Sequence, residues 1–379
     1  MIIGFLVNPI AGMGGSVGLK GTDGNLYFEA IRRGAKPVAP NKAIRFLRRL
    51  IDVNFSENIL SASGIMGCRY LKEVEYPNYE CINVPRHKGL TSSEDTKEAV
   101  RKFLKRKVNL IVFIGGDGTA KDIYDVTNGR IPILGVPSGV KMYSGCFAAS
   151  PEAAAQLLKL YVEGTVSTDI TEIADADEEA ILRGIPKVNI YGYTLSLRHE
   201  YLTIPSKDFS SSGSPEEKYE VAEYFINEYL RDNELYFLGP GSTVKAITDI
   251  LGLSKTLLGV DALYNKKIIA LDLGESEILG LINNYGSAYI VITVIGRQGY
   301  IFGRGNQQFT PRVIRSIGGK DRIYVIATRS KMRSIKYLII DTGDPKLDED
   351  LSGYWRVIVG FNEEKIVKVV PACCIEKFI

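Results

Sequence analysis

Along the first half of the chain, short apolar blocks alternate with segments whose apolar residues recur at helical spacing. Ile2 to Val7 reads as a buried strand, and Asn41 to Asp52 as a helix with Ile44, Leu47 and Ile51 on one face. Ile59 to Ala62 is a short apolar run, and Thr91 to Arg106 opens with Ser, Thr and Asp capping chemistry before a run of helix formers. Val108 to Ile114 is continuously apolar, the pattern of a strand covered on both faces, and it runs straight into Gly115-Gly116-Asp117-Gly118-Thr119. A helix is expected from Ala120, a strand over Ile131–Val136 followed by Pro137-Ser138-Gly139, and a helix over Ser150–Gly164 with Pro151 in its first turn. Repeated strand–loop–helix units predict a parallel sheet with helices on both faces.

The pattern changes over Thr165–Pro205, where three strand-like stretches (Val166–Ile173, Lys187–Tyr193, Thr194–His199) follow one another with little helix. A polar stretch, Ser206–Glu217, has linker composition. Then comes a helix, Lys218–Asp232, and a strand, Leu235–Leu238, which ends at Gly239-Pro240-Gly241-Ser242-Thr243. Further strands are expected at Thr256–Val260, Ile268–Leu271, Tyr289–Ile295 and Ile323–Ala327, with a helix near Pro311–Ile317. The tail, Tyr337–Asp341, Trp355–Phe361 and Ile366–Val370, reads as strands, the last two joined as a hairpin. The expected fold class is therefore two-lobed α/β. A doubly wound parallel sheet spans 1–164, and a mixed α/β lobe with a β-rich segment and a hairpin tail spans 165–379.

Composition narrows the function classes. The 379 residues carry 47 basic and 44 acidic side chains, a net +3, which argues against a dedicated nucleic-acid binder. No apolar run is long enough for a membrane helix, so a cytoplasmic protein with no membrane partner is expected. Five cysteines without a C-x-x-C pair read as reduced, mostly buried thiols, and two histidines make a zinc site unexpected, so no metal ligand is named. Abundant Ile, Tyr, Lys and Arg beside few His and Gln point weakly to a thermophile.

The glycine loop is the strongest chemical signal. Strand ends in parallel sheets deliver ligand-binding loops, glycines let backbone N–H groups reach phosphate oxygens, and the following helix faces the anion with its partly positive end. Asp117 is out of place beside phosphate unless it accepts a hydroxyl proton or holds magnesium. The plainer reading is a tight Asp-Gly turn.

At this point the sequence resembles a family. Gly115–Thr119 after a buried strand, Asn8-Pro9-Ile10-Ala11-Gly12-Met13-Gly14-Gly15 after the first strand, and Ile133 to Lys141 resemble the three conserved stretches of the NAD kinase and diacylglycerol kinase superfamily. Gly21-Thr22-Asp23-Gly24, Gly239–Thr243 and Gly303-Arg304-Gly305-Asn306-Gln307-Gln308 are similar to its longer prokaryotic ATP-NAD kinase-like branch, which includes acetoin-catabolism-associated relatives. The resemblance implies that Asp117 is the catalytic base. It also implies that Gly115, Gly116, Gly118 and Thr119 hold nucleotide phosphates, aided by Asn8, Gly12, Gly14, Gly15, Ser138, Gly139 and Lys141. It departs in lacking the Asn-Glu pair that typical NAD kinases place after this loop, since Asn362-Glu363 falls in the hairpin turn.

The second half offers Gly239, Gly241, Ser242, Thr243, Arg304 and Asn306, with Asp23 from the first, as candidates for the acceptor. Gly239–Thr243 is equally a tight strand-to-helix connection, Lys141 equally a solvated lysine, and Asp23 equally a turn residue. Asp175, Asp177, Glu178 and Glu179 form an acidic run of the kind usually found in a solvated loop. The expected activity is transfer of phosphate from ATP, with Mg2+, to the 2′-hydroxyl of the adenosine ribose of NAD. The nucleotide is expected between the lobes, and the protein is expected to be a homo-oligomer. A kinase of another hydroxylated small molecule or lipid, or a nucleotide sensor without turnover, are the alternatives.

Overall fold

The computed structural model describes residues 1–19, 25–84, 91–138, 142–176, 188–199, 202–203, 214–295 and 299–374. Asp23, Gly139, Lys141, Asp177, Glu178, Glu179 and residues 206–213 of the polar stretch lie outside them. The chain divides into two compact units, residues 1–13, 21–207 and 376–379, and residues 14–20 with 208–375.

The first unit carries strands β1 (Ile2–Val7), β2 (Asn58–Ala62), β3 (Tyr79–Ile82), β4 (Leu110–Gly115), β5 (Ile133–Pro137), β6 (Thr168–Ala176) and β7 (Val188–Leu197). Its helices are α1 (Asn25–Arg32), α2 (Ala39–Asp52), α3 (Cys68–Glu73), α4 (Ser93–Lys105), α5 (Asp117–Thr127) and α6 (Pro151–Val162). The strand order is β3-β2-β1-β4-β5-β7-β6, with β1 to β5 parallel. The chain builds outward from β1 to β3, then returns to the other side of β1. The reversal lies between β1 and β4.

Every residue of β4 is buried, as its unbroken apolar run requires. Neighbouring side chains of β1 go to opposite faces. Phe5 stacks on Phe46 of α2, while Leu6 joins a core with Phe103 of α4 and Ile123 of α5. Local chemistry starts the helices where the sequence places them. Ser92 and Asp95 form a reciprocal capping box on α4, and Ser150 caps α6 just before Pro151.

Two observations depart from the sequence reading. The β6–β7 hairpin falls after the boundary expected at 164/165, yet it joins the first sheet, where Ser196 pairs with Ile133 of β5. A period-2 pattern identifies a strand but not the sheet that receives it. The cysteines also differ from the expectation of reduced thiols: Cys68 and Cys81 form a disulfide, while Cys146 is a buried thiol and the thiols of Cys373 and Cys374 lie 3.4 Å apart without a disulfide.

The second unit holds β8 (Leu235–Leu238), β9 (Asp261–Tyr264), β10 (Lys267–Ala270), β11 (Ala288–Thr293), β12 (Tyr300–Phe302), β13 (Ile323–Ile326), β14 (Tyr337–Ile340), β15 (Gly353–Gly360) and β16 (Glu363–Pro371). Helices α7 (Pro215–Glu228), α8 (Ser242–Ile250), α9 (Glu275–Tyr285), α10 (Pro311–Ser316), α11 (Arg329–Met332) and α12 (Pro345–Asp350) surround them. The order is β10-β9-β8-β11-β13-β15-β16-β14-β12, with β8, β11, β13 and β15 parallel. Both faces are buried. Leu235 and Phe237 pack with Ile278 and Val313 of α9 and α10, while Tyr236 and Leu238 pack with Phe225 and Ile247 of α7 and α8.

The strand expected at Thr256–Val260 is instead a bend leading into β9. The buried carboxylate of Asp261 accepts from both the Thr256 amide (2.8 Å) and its hydroxyl (2.9 Å), which curls the segment back.

Candidate active site

Three loops meet at the carboxyl ends of β1, β4 and β5, where the strand order reverses and parallel sheets bind ligands. Asn8 makes the first link. Its backbone amide donates to Ile114 O (2.9 Å), and its side-chain oxygen accepts from Ile10 N (3.3 Å). Its side-chain NH2 donates to Thr119 Oγ1 (3.0 Å), so one amide side chain joins the first loop to the start of α5. Gly12 makes the second link. Its φ is +80°, and a Cβ there would stand 1.7 Å from the Ser138 carbonyl oxygen. Ser138 N in turn donates to Gly115 O (3.1 Å), which closes the circuit. At Gly115 a Cβ would meet Thr119 Oγ1 at 2.6 Å, so the loop can fold onto its own helix only as glycine.

Helix α5 starts on Gly116 without a side-chain cap on its first turn. Gly118 has open space where a Cβ would be and is exposed. The Ser138 hydroxyl is buried and has no hydrogen-bond partner among the described residues. Uncapped amides, a glycine surface and a buried hydroxyl donor form a set that suits phosphate oxygens.

Asp117, the first residue of α5, accepts from Tyr143 N through Oδ2 (2.7 Å) and from Ser144 N through Oδ1 (2.9 Å). The Ser144 hydroxyl then accepts from Ala174 N of β6 (2.9 Å). The aspartate is therefore held in place by the 143–144 backbone, a function that nothing in the sequence indicated. Each carboxylate oxygen can accept more than one hydrogen bond, so this holding is compatible with proton acceptance. Cys146 lies close by, and burial, with a lesser push from the Asp117 charge, raises its thiol well above the usual range. It remains a thiol.

Gly14 and Gly15 belong to the second unit. They lie in a short 3-10 turn, Met13–Val17, where Leu19 N donates to Gly14 O (2.8 Å), and Val17 packs beside Gly274.

In the second unit the Gly239–Thr243 turn follows β8. Gly239 N donates to Val291 O (2.8 Å), and Gly241, at φ +118°, donates to Leu257 O (2.9 Å). A Cβ on Gly241 would meet Thr293 Cγ2 of β11 at 2.7 Å, and one on Gly239 would meet Phe309 at 3.3 Å. Helix α8 also begins without a side-chain cap. Ser242 is exposed and Thr243 buried.

The Gly303–Gln308 loop joins this turn through Phe309. Gly303 presses on Asp341 O (2.0 Å from an added Cβ, φ +91°), and the Arg304 guanidinium lies 4.3 Å over the Tyr300 ring. Burial works against the Arg304 charge, and Tyr300 and Asp341 work for it. Asn306 is buried and donates to Ile301 O (2.8 Å).

The sequence reading missed Lys255. This fully buried amine donates to Thr256 O (2.8 Å) and Gly259 O (3.2 Å) and pairs with Asp261 (3.3 Å), while burial draws its pKa down to about 8 against the attraction of Asp261. All three of its protons are satisfied, so it braces the bend that receives Gly241. Ser254-Lys255-Thr256 looks like any polar connection, and no local pattern marks it.

Among the described residues no group of three or more His, Cys, Asp or Glu is placed to hold a metal ion, and no helix is long and apolar enough to cross a membrane. The chain matches the ATP-NAD kinase N-terminal domain over residues 3–166 and the ATP-NAD kinase C-terminal domain over residues 231–369. It belongs to the ATP-NAD kinase family. No curated protein matches it. Among solved structures, the UDP-GlcNAc 2-epimerase from Methanocaldococcus jannaschii aligns at 11% identity over 93% of this chain and 81% of its own, with a TM-score of 0.23. Likeness at that level carries no argument about function. Family membership supports a nucleotide-dependent kinase.

Proposed function

We propose that this family member transfers the γ-phosphoryl group of ATP to the 2′-hydroxyl of the adenosine ribose of NAD. The observation that carries the reading is the meeting of Asn8, Gly12, Gly115–Thr119 and Ser138 around an uncapped helix start with Asp117 at its first position. The amides of Asp117, Gly118 and Thr119 and the Ser138 hydroxyl donate to phosphate oxygens. Asn8 keeps Thr119 turned toward its own loop. Gly139 and Lys141 are assigned to the same phosphates. Asp117, oriented by the Tyr143 and Ser144 amides, takes the proton of the attacking hydroxyl. Bound magnesium would spread the charge developing on the phosphates, with most of its ligands drawn from phosphate and water. Gly14, Gly15, Gly239, Gly241, Ser242, Thr243, Arg304 and Asn306 of the second unit are assigned to nucleotide, and Asp23 of the first unit to the acceptor. A cytoplasmic homo-oligomer remains part of the proposal.

The missing Asn-Glu pair favours a second reading, a kinase of another hydroxylated small molecule. Incubating the protein with labelled ATP and a panel of acceptors separates the two, and label in NADP is the expected result. Asp117→Asn should cut turnover by roughly 10²–10⁴-fold. The replacement also gives Tyr143 or Ser144 an amide NH2 in place of an acceptor. The pH profile therefore decides its role: loss of the acid limb marks a base, and a lower rate with the limb retained marks a positioning residue.

A further inference from the structure

The Gly303–Gln308 loop has a hydrogen-bonding character that phosphate recognition does not explain. Three consecutive amide side chains, Asn306, Gln307 and Gln308, each hold their carbonyl oxygen out of solvent with no donor among the described residues. Asn306 and Gln308 are 1% and 4% exposed. The orientation of two of them is fixed by the other end of the amide. Asn306 Nδ2 donates to Ile301 O (2.8 Å) and Gln307 Nε2 to Gly303 O (3.3 Å), so their oxygens cannot be exchanged for donors. A fourth buried atom, Thr293 Oγ1, is likewise without a partner, and its side chain faces Gly241.

The segments that carry these groups adjoin one another. Gly239–Gly241 touches both Thr293 and Phe309, the residue after Gln308, and the space beside Gly305 is bounded by Ile295, two residues beyond Thr293. A buried amide oxygen left without a donor costs about 1–3 kcal/mol, and here three lie on consecutive residues. Phosphate oxygens are acceptors and would be repelled by them. Groups that donate, hydroxyl or amino, would be held.

We infer that the Gly303–Gln308 loop reads the hydroxyl or amino groups of a nucleoside-type ligand, not its phosphates. The inference rests on the reading that the second unit takes the acceptor substrate. It makes Asn306 an acceptor for hydroxyl or amino groups, and leaves the uncapped start of α8 as the donor half of the same ligand site.

Hydrogen exchange of the full chain tests it, with adenosine (hydroxyls and an amino group, no phosphate) and inorganic pyrophosphate (acceptor oxygens only) as probes. Adenosine should slow exchange across 299–309, and pyrophosphate should not. In Gln308→Met the adenosine concentration giving half the effect should rise roughly tenfold or more. Gln307→Met, at a less buried position, should shift it in the same direction if the first variant folds poorly. 2′,3′-Dideoxyadenosine and inosine separate the two donor types: loss of protection with the first identifies hydroxyls, and with the second the amino group. Protection by pyrophosphate equal to that by adenosine, no protection by adenosine, or an unchanged midpoint in both Met variants overturns the inference. NAD phosphorylation is measured on the same preparation. NAD turnover without adenosine protection at 299–309 defeats only this inference, and protection without NAD turnover defeats only the assignment of NAD as acceptor.

Discussion

At the residue scale, glycines of similar appearance perform different tasks. Gly12 has a left-handed backbone and sits against a carbonyl oxygen, so a methyl group meets both strain and a clash with backbone that cannot swing aside. Gly118 has neither restriction. Gly12→Ala should therefore pull the first loop off Ser138 and weaken ATP binding at least about tenfold, with a lower Tm. Gly118→Ala should melt as the wild type does, so any loss of ATP affinity in calorimetry reports contact with the nucleotide itself. Equal affinity for ATP in both variants and the wild type would mean the three loops are a structural junction. The Gly115–Thr119 motif was legible because its spacing is local. The partners of Gly12, Asp117 and Lys255 were not, because they lie 126, 26 and 6 positions away and nothing in the intervening sequence marks them.

At the element scale, strands with continuous apolar runs, the Ser150-Pro151 start of α6 and the capping box of α4 were readable, whereas α7, which opens on Ser214-Pro215, was expected only from Lys218. Elements set by pairing were not. Helix α9 has Gly274 at its cap position, where no side chain can cap it, and Glu277 supplies the cap by accepting from Gly274 N (2.8 Å). Strand β3 is only four residues long and half exposed, and it forms because β2 offers it a parallel edge that sets Cys81 opposite Ser61. The same register, with the Ala62–Gly67 bridge, brings Cys68 to Cys81 across 13 positions. Closing a loop of that length removes conformations from the unfolded chain. Cys81→Ser should cost about 2–3 kcal/mol, and a reductant should lower the wild-type Tm to that of the variant. A wild-type Tm indifferent to reductant would show that the pair is open in solution.

At the scale of the whole molecule, each unit owns a sheet covered on both faces, and the buried ion pair of the second unit tunes its stability with pH. Lys255 titrates near 8 in the folded chain and near 10.5 when unfolded. Between those values the unfolded state binds more protons. The contribution of Lys255 is therefore lowest below pH 8 and grows as pH rises toward 10.5. Measured by chemical denaturation, the stability of the wild type relative to Lys255→Met should increase by on the order of 3 kcal/mol across that window. Parallel pH curves for the two proteins would mean that the amine keeps its ordinary pKa.

By itself the sequence determined the α/β class, the buried strands and the glycine loop with Asp117, because apolar period, helix capping and glycine spacing act over a few residues. Only the tertiary structure decided which sheet receives the β6–β7 hairpin, which cysteines meet, what holds Asp117 and which amide oxygens are left without donors. Those outcomes depend on strand register and on the approach of segments far apart in the chain, and the free energy that selects them arises from packing and pairing that exist only once the sheets have formed.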